Sequence, residues 1–416
     1  MTSVVFYFQV HQPFRLLPQT RFDLQAKASY FDDGLNRYIT ERVAERCYLP
    51  TNQVLLDAIE RTNGRFRCSF SLSGTALTQL EKWSPEALDS FIELAQTGAC
   101  EILCETAYHS LASITDAHEL EAQVNSHRQR IEDLFGTSPK SFRNTELVFD
   151  NELAKRIEGL GFEVLIGEGA DRLLGWRSPR YVYRPKGTTR LKLLLRDYLF
   201  SDDIAFRFSN PEWESYPLMA DTFAGWLKRA LPEEAFIGLF MDYETFGEHQ
   251  SEETGILEFL THLPEFVLAE ENLDFQTPLE LARNNKALDE LDAPDPISWA
   301  DEKRDLSAWL ANGMQIEANK RLYDLAPKLR RAEAKGGEEL METWRKLTTS
   351  DHVYYMYTRR HEDGNVHEYF TPYDSPHDSY LLFMNVLEDL ERRVDEHLDG
   401  SPPKTTPKTE RESAGS

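Results

Sequence analysis

Two hydrophobic periods alternate along the first 285 residues. Short runs rich in β-branched and aromatic residues, at 3–10, 66–72, 99–105, 140–145, 163–167, 190–196 and 235–242, predict strands. Between many of them, apolar positions three and four apart predict helices over 51–62, 84–97, 117–135, 150–160, 216–230 and 278–285. Strand and helix in alternation imply an α/β fold with a parallel sheet, and seven such strands suggest a closed or nearly closed barrel. After Pro294-Asp-Pro296 the pattern changes: 301–335, 337–349 and 377–398 are long, charged and helical in period. The chain is therefore expected to hold a barrel over 1–285, a helical region over 286–400 packed on it, and a tail over 401–416. That tail has no apolar periodicity and is expected to be disordered.

Composition narrows the class. With 416 residues, 41% hydrophobic and 12% aromatic, the chain can bury a large core and form a barrel plus an accessory region. No stretch reaches the roughly 20 apolar residues of a membrane span, and the N-terminus opens directly on a strand. A net charge of −25 repels phosphate backbones and anionic lipid, so neither nucleic acid nor membrane is the expected partner. Four cysteines, Cys47, Cys68, Cys100 and Cys104, are few for this length and three lie in strand-like segments. They fit reduced core thiols in a cytoplasm. Cys100 and Cys104 have no second Cys or His pair at zinc spacing, so neither a metal nor another cofactor is expected. Oligomeric state stays open.

Candidate chemistry sits where strands run out. Glu146 closes Lys140-Ser-Phe-Arg-Asn-Thr-Glu146, and Asp242 closes Ala235-Phe-Ile-Gly-Leu-Phe-Met-Asp242. In an α/β barrel the C-terminal strand ends share one mouth, so acids far apart in sequence can face one substrate atom. Two carboxylates are what glycosidic bond cleavage requires. Phe240, Met241 and Tyr243 offer Asp242 apolar surroundings that raise its pKa; Arg143 and Asn144 favour a charged Glu146 if the loop turns them inward. A regular strand would instead put Arg143 on the opposite face from Glu146, as an outer ion pair.

Four words occur in order: His11-Gln12-Pro13 after the first strand, Asn144-Thr145-Glu146, Met241-Asp242-Tyr243-Glu244, and Ser298-Trp299-Ala300-Asp301-Glu302-Lys303-Arg304-Asp305-Leu306-Ser307-Ala308-Trp309. Together they resemble glycoside hydrolase family 57. Cys47-Tyr48-Leu49-Pro50, Ser71-Leu72-Ser73-Gly74 and Asp351-His352-Val353-Tyr354-Tyr355-Met356 are similar to its α-amylase branch. The resemblance implies an incomplete (β/α)7 barrel followed by a helical C-terminal region. It also implies a retaining enzyme that cleaves α-1,4-glucosidic bonds of glycogen, starch or maltodextrins, with Glu146 as nucleophile and Asp242 as general acid/base. A 4-α-glucanotransferase or branching enzyme on the same fold, or a silent glucan-binding homologue, are the alternatives.

The resemblance places His11 in the cleavage subsite, where an imidazole can bond a sugar hydroxyl, and puts an acid at Glu105 in the second motif; His11, Glu105 and Glu244 are expected to bind substrate, and His109 is a weaker candidate. Glu244 would share a face with Asp242 if the strand continued, its charge raising the proton affinity of the acid. Glu248 and His249 lack helical zinc spacing and read as loop-shaping. Asp301 and Asp305, four apart, could hold paired hydroxyls from one helical face, with Trp299 stacking on a pyranose; Trp309 reads as a packing anchor. Tyr355 is a candidate for an outer subsite, as are Tyr354 and Tyr373.

Overall fold

The computed structural model describes residues 1–18, 29–230, 233–300, 302–358 and 371–400. The expected tail and Asp301 lie outside the described residues. The chain divides into two compact units, one of Met1–Pro13 with Gly34–Ala308, the other of Phe14–Asp33 with Trp309 onward.

In the first unit, β1 (Thr2–Val10), β2 (Cys68–Leu72), β3 (Cys100–Ile102), β4 (Ser141–Arg143), β5 (Val164–Glu168), β7 (Lys192–Arg196) and β8 (Phe236–Asp242) fall on the seven expected strands. Three short strands, β6 (Tyr183–Pro185), β9 (Leu273–Phe275) and β10 (Asp289–Leu291), add to them. Each is only three residues long and is placed by its neighbours, β9 on β1, β6 on β7 and β10 on β6. One sheet runs β3-β2-β1-β8, with β9 also beside β1; the other runs β10-β6-β7-β5-β4. Every pairing is parallel except β6 with β7. The sheets are tied at two places. Cys104 bridges to Phe142 with backbone bonds of 2.9 Å to Ser141 and Arg143, and Asp197 N donates to Gly238 O at 2.8 Å. Gly238 permits the second link, since a Cβ there would lie 2.5 Å from Leu195 O.

All nine residues of β1 are buried. Alternation sends Val4, Phe6, Phe8 and Val10 into a core shared with Phe70, Phe91, Met241 and Tyr243, and Val5 and Tyr7 into a second core with Leu103, Ile166, Leu194 and Phe240. Burial on both faces is the mark of a parallel sheet with covered sides, and each such side chain contributes roughly 1.5–3 kcal/mol. Helices carry the chain between strands. Ala117–Phe135 starts where Asp116 accepts from the His118 and Glu119 N–H groups and ends at Gly136 with φ +69°, a conformation suited to glycine. Pro278–Asn284 opens with a Thr277/Glu280 capping box. The helix expected over 216–230 is confined to Ala220–Leu227.

The second unit is helical, with Gly313–Asp324, Ala326–Glu333, Glu338–Leu347, Ser350–Tyr354 and Pro376–Leu398. Leu322, Leu329, Met341, Trp344, Leu387 and Leu390 form its core, and the Trp344 indole donates to Leu322 O at 2.8 Å. The helix expected over 301–335 is broken: Asn312 caps a new start at Gly313 through a capping box with Gln315. Residues 286–308, expected with the helical region, cluster with the strands. Among the described residues no helix is long and apolar enough to cross a membrane.

Candidate active site

Glu146 follows β4 in a short 3-10 turn, Thr145–Leu147, in which Glu146 and Leu147 take φ of +56° and +51°. Each left-handed non-glycine residue costs about 1–2 kcal/mol, and such strain concentrates at functional sites. Side chains hold the turn: Asn144 Nδ2 donates to Val148 O at 2.9 Å and Ser113 Oγ at 3.0 Å, and the Thr145 and Thr106 hydroxyls meet at 2.8 Å. The turn breaks strand alternation, so Arg143 and Glu146 reach the same neighbourhood. Arg143 is therefore no outer ion pair; it is fully buried, its guanidinium 5.1 Å from the Trp299 ring and 3.5 Å from His109 Nδ1.

Both oxygens of Glu146 accept hydrogen bonds, from Trp299 Nε1 to Oε2 at 2.6 Å and from His109 Nε2 to Oε1 at 3.1 Å. Burial by itself raises the Glu146 pKa, but the His109 bond and charge, the Arg143 charge and the Trp299 bond outweigh it and bring it below the usual carboxylate range.

Trp299 is placed by a loop rather than a helix. Ser298 Oγ donates to Asp305 O at 2.7 Å, Arg304 Nη1 donates to Trp299 O at 2.5 Å, and Ile297 and Phe149 exchange backbone bonds of 2.9 Å. Arg196, at the end of β7, lies 5.7 Å from the same indole, in cation–π range. It donates to Phe240 O at 2.7 Å and pairs with Glu168 and Asp202, both also approached by Arg304.

Asp242 ends β8, in register with Gln9 of β1. Its pKa is pushed up to about 6, first by burial and next by the charge of Glu146, against the opposing charges of Arg143, His109 and Arg196. Its apolar neighbour is Phe240, on the same side of β8; Met241 and Tyr243 belong to the other core, where Tyr243 packs on Phe8 and Phe70 and donates to Asn52 Oδ1 at 2.6 Å. Glu244 is buried, accepts from Tyr48 Oη at 2.5 Å and Gln12 Nε2 at 3.3 Å, and rises to about 8 through burial and then the Asp242 charge.

His11 stacks on His109 at 3.9 Å, with its Nδ1 2.7 Å from Ser73 Oγ. Glu105 is fully buried between Gln9 Nε2 at 3.0 Å and His109 Nδ1 at 2.9 Å. Asp305 accepts from Ser307 N at 2.8 Å, at the start of the short Ser307–Leu310 helix. Trp309 is buried, as its reading as an anchor expects, and Tyr354 packs on it at 6.0 Å. Tyr355 belongs to the second unit, buried with its ring 5.6 Å from Tyr373. Glu248 pairs with Arg42, and His249 N donates to Glu244 O at 2.8 Å, which shapes that loop. Sequence reasoning missed Arg196, Glu168 and Gln9. The signal was available for the first two: like Asp242, they close strands.

One carboxyl lowered by its cation and hydrogen-bond partners and a second, within reach of its charge, raised to about 6 are the pair of acids a double-displacement glycoside hydrolase uses. The sequence pattern of Glycosyl hydrolase family 57 matches residues 5–294, and the chain belongs to that family. Its members are retaining glycosidases. The chain is 39% identical over 407 residues, 95% of its length and 85% of the relative's, to a Methanocaldococcus jannaschii protein named "Putative alpha-amylase". It is similar in structure to a family 57 branching enzyme of Thermococcus kodakaraensis, with TM-score 0.67, 13% identity, and 95% and 91% of the two chains covered. It is also similar to an α-amylase of Thermotoga maritima, with TM-score 0.57, 14% identity, and 97% and 98% covered. At these identities the two structures establish the fold.

Proposed function

We propose that this enzyme hydrolyses α-1,4-glucosidic bonds of glycogen, starch or maltodextrins, with Glu146 as nucleophile and Asp242 as general acid/base. The observation that carries the reading is the split between the two carboxyls, one ionised under His109 and Trp299, the other raised to about 6. The ties between β3 and β4 and between β7 and β8 support an incomplete (β/α)7 barrel of β1, β2, β3, β4, β5, β7 and β8, with both acids at its mouth.

In the first step Asp242 gives its proton to the glycosidic oxygen while a Glu146 oxygen attacks the anomeric carbon. The C1–O bond breaks, the shortened glucan leaves with the proton, and a glycosyl ester forms on Glu146. Esterification removes the Glu146 charge, which had raised the Asp242 pKa, so that pKa falls and Asp242 stays ionised, ready to accept a proton as its role reverses. It then takes a proton from water, whose oxygen attacks C1 and releases Glu146 as carboxylate. His11 and Trp299 are assigned to sugar contact, with Asp301, Asp305, Glu244 and Tyr355 as further positions to test. The relative's name favours hydrolysis. Likeness to a branching enzyme keeps transfer as the second reading, in which a sugar hydroxyl replaces water. Four free cysteines, three of them buried, fit a reducing cytoplasm.

Incubation with maltoheptaose separates the readings: shorter products alone mean hydrolysis, longer ones transfer, and no change contradicts both. Glu146→Gln and Asp242→Asn are each expected to lower turnover by several orders of magnitude with folding intact. Activity within about tenfold of wild type removes the assignment. Glu146→Ala with azide is expected to yield a glycosyl azide of inverted anomeric configuration.

A further inference from the structure

We propose that Glu105 is a positioning residue that holds His109 as an imidazolium, and that this fixed positive charge keeps Glu146 ionised and speeds its release from the glycosyl ester. The inference rests on the reading of Glu146 as nucleophile.

With Glu105 and Glu146 both ionised, the geometry favours two protons on one ring. A neutral imidazole has one N–H and one lone pair. His109 presents Nδ1 to Glu105 Oε2 at 2.9 Å and Nε2 to Glu146 Oε1 at 3.1 Å, so a neutral ring would set a lone pair against a carboxylate at one end. The other Glu105 oxygen accepts from the Gln9 amide, which leaves Glu105 an acceptor on both sides. A carboxylate buried this completely requires a bonded counter-charge, and His109 supplies it. The shifts agree in direction: Glu105 falls to about 2 against its burial, and His109 rises to about 9 through its two carboxylate bonds, also against burial.

The other groups facing the pair are Arg143, whose charge opposes protonation of His109, the stacked His11 ring, and His127, whose Nδ1 accepts from the Glu105 N–H at 3.2 Å. Asp242, which feels the Glu146 charge, and Trp299, bonded to the other Glu146 oxygen, are the further groups at Glu146. His127 is a useful contrast: its Nε2 donates to Leu72 O at 2.7 Å, one donor and one acceptor, as a neutral ring does. The scaffold around His109 is tight. Its φ is +50°, its N–H donates to Thr106 O at 3.0 Å, and a Cβ on Gly74 would lie 2.5 Å from Ala107 O.

When the glycosyl ester breaks, the bonding electrons return to Glu146, and His109 already stands as the counter-charge. In Glu105→Gln the side-chain amide can donate to Nδ1 while Nε2–H still bonds Glu146, so the contact survives and the charge is lost. On an aryl maltoside with a good leaving group, where ester hydrolysis limits kcat, Glu105→Gln is expected to lower kcat about tenfold and show a burst of phenol. kcat/KM is expected to stay within about threefold on its plateau, and its acid limb to move to higher pH. Glu105→Gln with wild-type kcat and an unmoved acid limb overturns the proposal. Nitrogen-15 NMR of labelled histidine, with His109→Gln to identify the signal, is expected to find both His109 nitrogens protonated at pH 7.5 in the wild type. A neutral His109 there overturns the proposal whether or not Glu105→Gln folds. Failure of the nucleophile reading is recognised separately, as absence of the inverted azide product from Glu146→Ala with the NMR signature intact.

Discussion

On the proposed role of Asp242 as proton donor, donation to the leaving oxygen needs it protonated, so kcat/KM is expected to be high below about pH 6 and to fall about tenfold per pH unit above it. Raising an aspartate from 3.8 to about 6 favours the protonated form by about 3 kcal/mol. Burial is the largest cause, and Phe240 is the apolar wall on that side of β8, fully buried with its ring edge-on to Tyr7 at 5.6 Å. Phe240→Ser removes the ring and admits water, returning Asp242 toward 3.8. Complete return would lower kcat/KM by about a hundredfold above pH 6; since the Glu146 charge remains, about tenfold is expected. The variant should also lose about 3–5 kcal/mol of folding stability, so rates belong well below its melting temperature, with circular dichroism confirming the fold. Tyr243→Phe is the control. Tyr243 adjoins Asp242 in sequence but packs in the other core, so the alkaline limb should stay in place. The assay is kcat/KM on an aryl maltoside across about pH 4–8. An unmoved limb in Phe240→Ser, or equal movement in Tyr243→Phe, refutes the reasoning.

Trp299→Phe keeps a ring near Arg143 and Arg196 but deletes the 2.6 Å bond to Glu146, one of the causes that lower its pKa. Its acid limb is expected at higher pH with the alkaline limb little changed; a profile superimposable on wild type contradicts the bond's role. Arg196→Met strips the closest cation from buried Glu168 and should cost about 3–5 kcal/mol at neutral pH, measured by urea denaturation. Glu168 already lies above the ordinary carboxylate value because of burial and rises further without Arg196. The loss should therefore shrink as pH falls and Glu168 protonates. A loss below about 1 kcal/mol, or one independent of pH, speaks against the cluster's weight.

The long strands were legible because burial on both faces forces nearly continuous apolar runs, and Asp242 was legible because it ends one; Glu146 was legible only as the acid closing the polar word Asn144-Thr145-Glu146 after the short β4. The two-period alternation carried the α/β class, and the helical stretch after residue 309 carried its own period. The short strands β6, β9 and β10 were not legible, since pairing with neighbours decides them and not their own sequence. Direction was also hidden. Alternation put Arg143 away from Glu146, and a left-handed turn at Glu146, held by Asn144 and Thr145, reversed that. Tyr243 adjoins Asp242 in the chain yet faces the opposite core, while His109, 37 residues before Glu146, touches it. Sequence by itself thus determined which acids stand at strand ends. Which of them is charged depends on burial and on cations brought from β4, β7 and the 105–109 loop, and those distances exist only once the chain has closed around them.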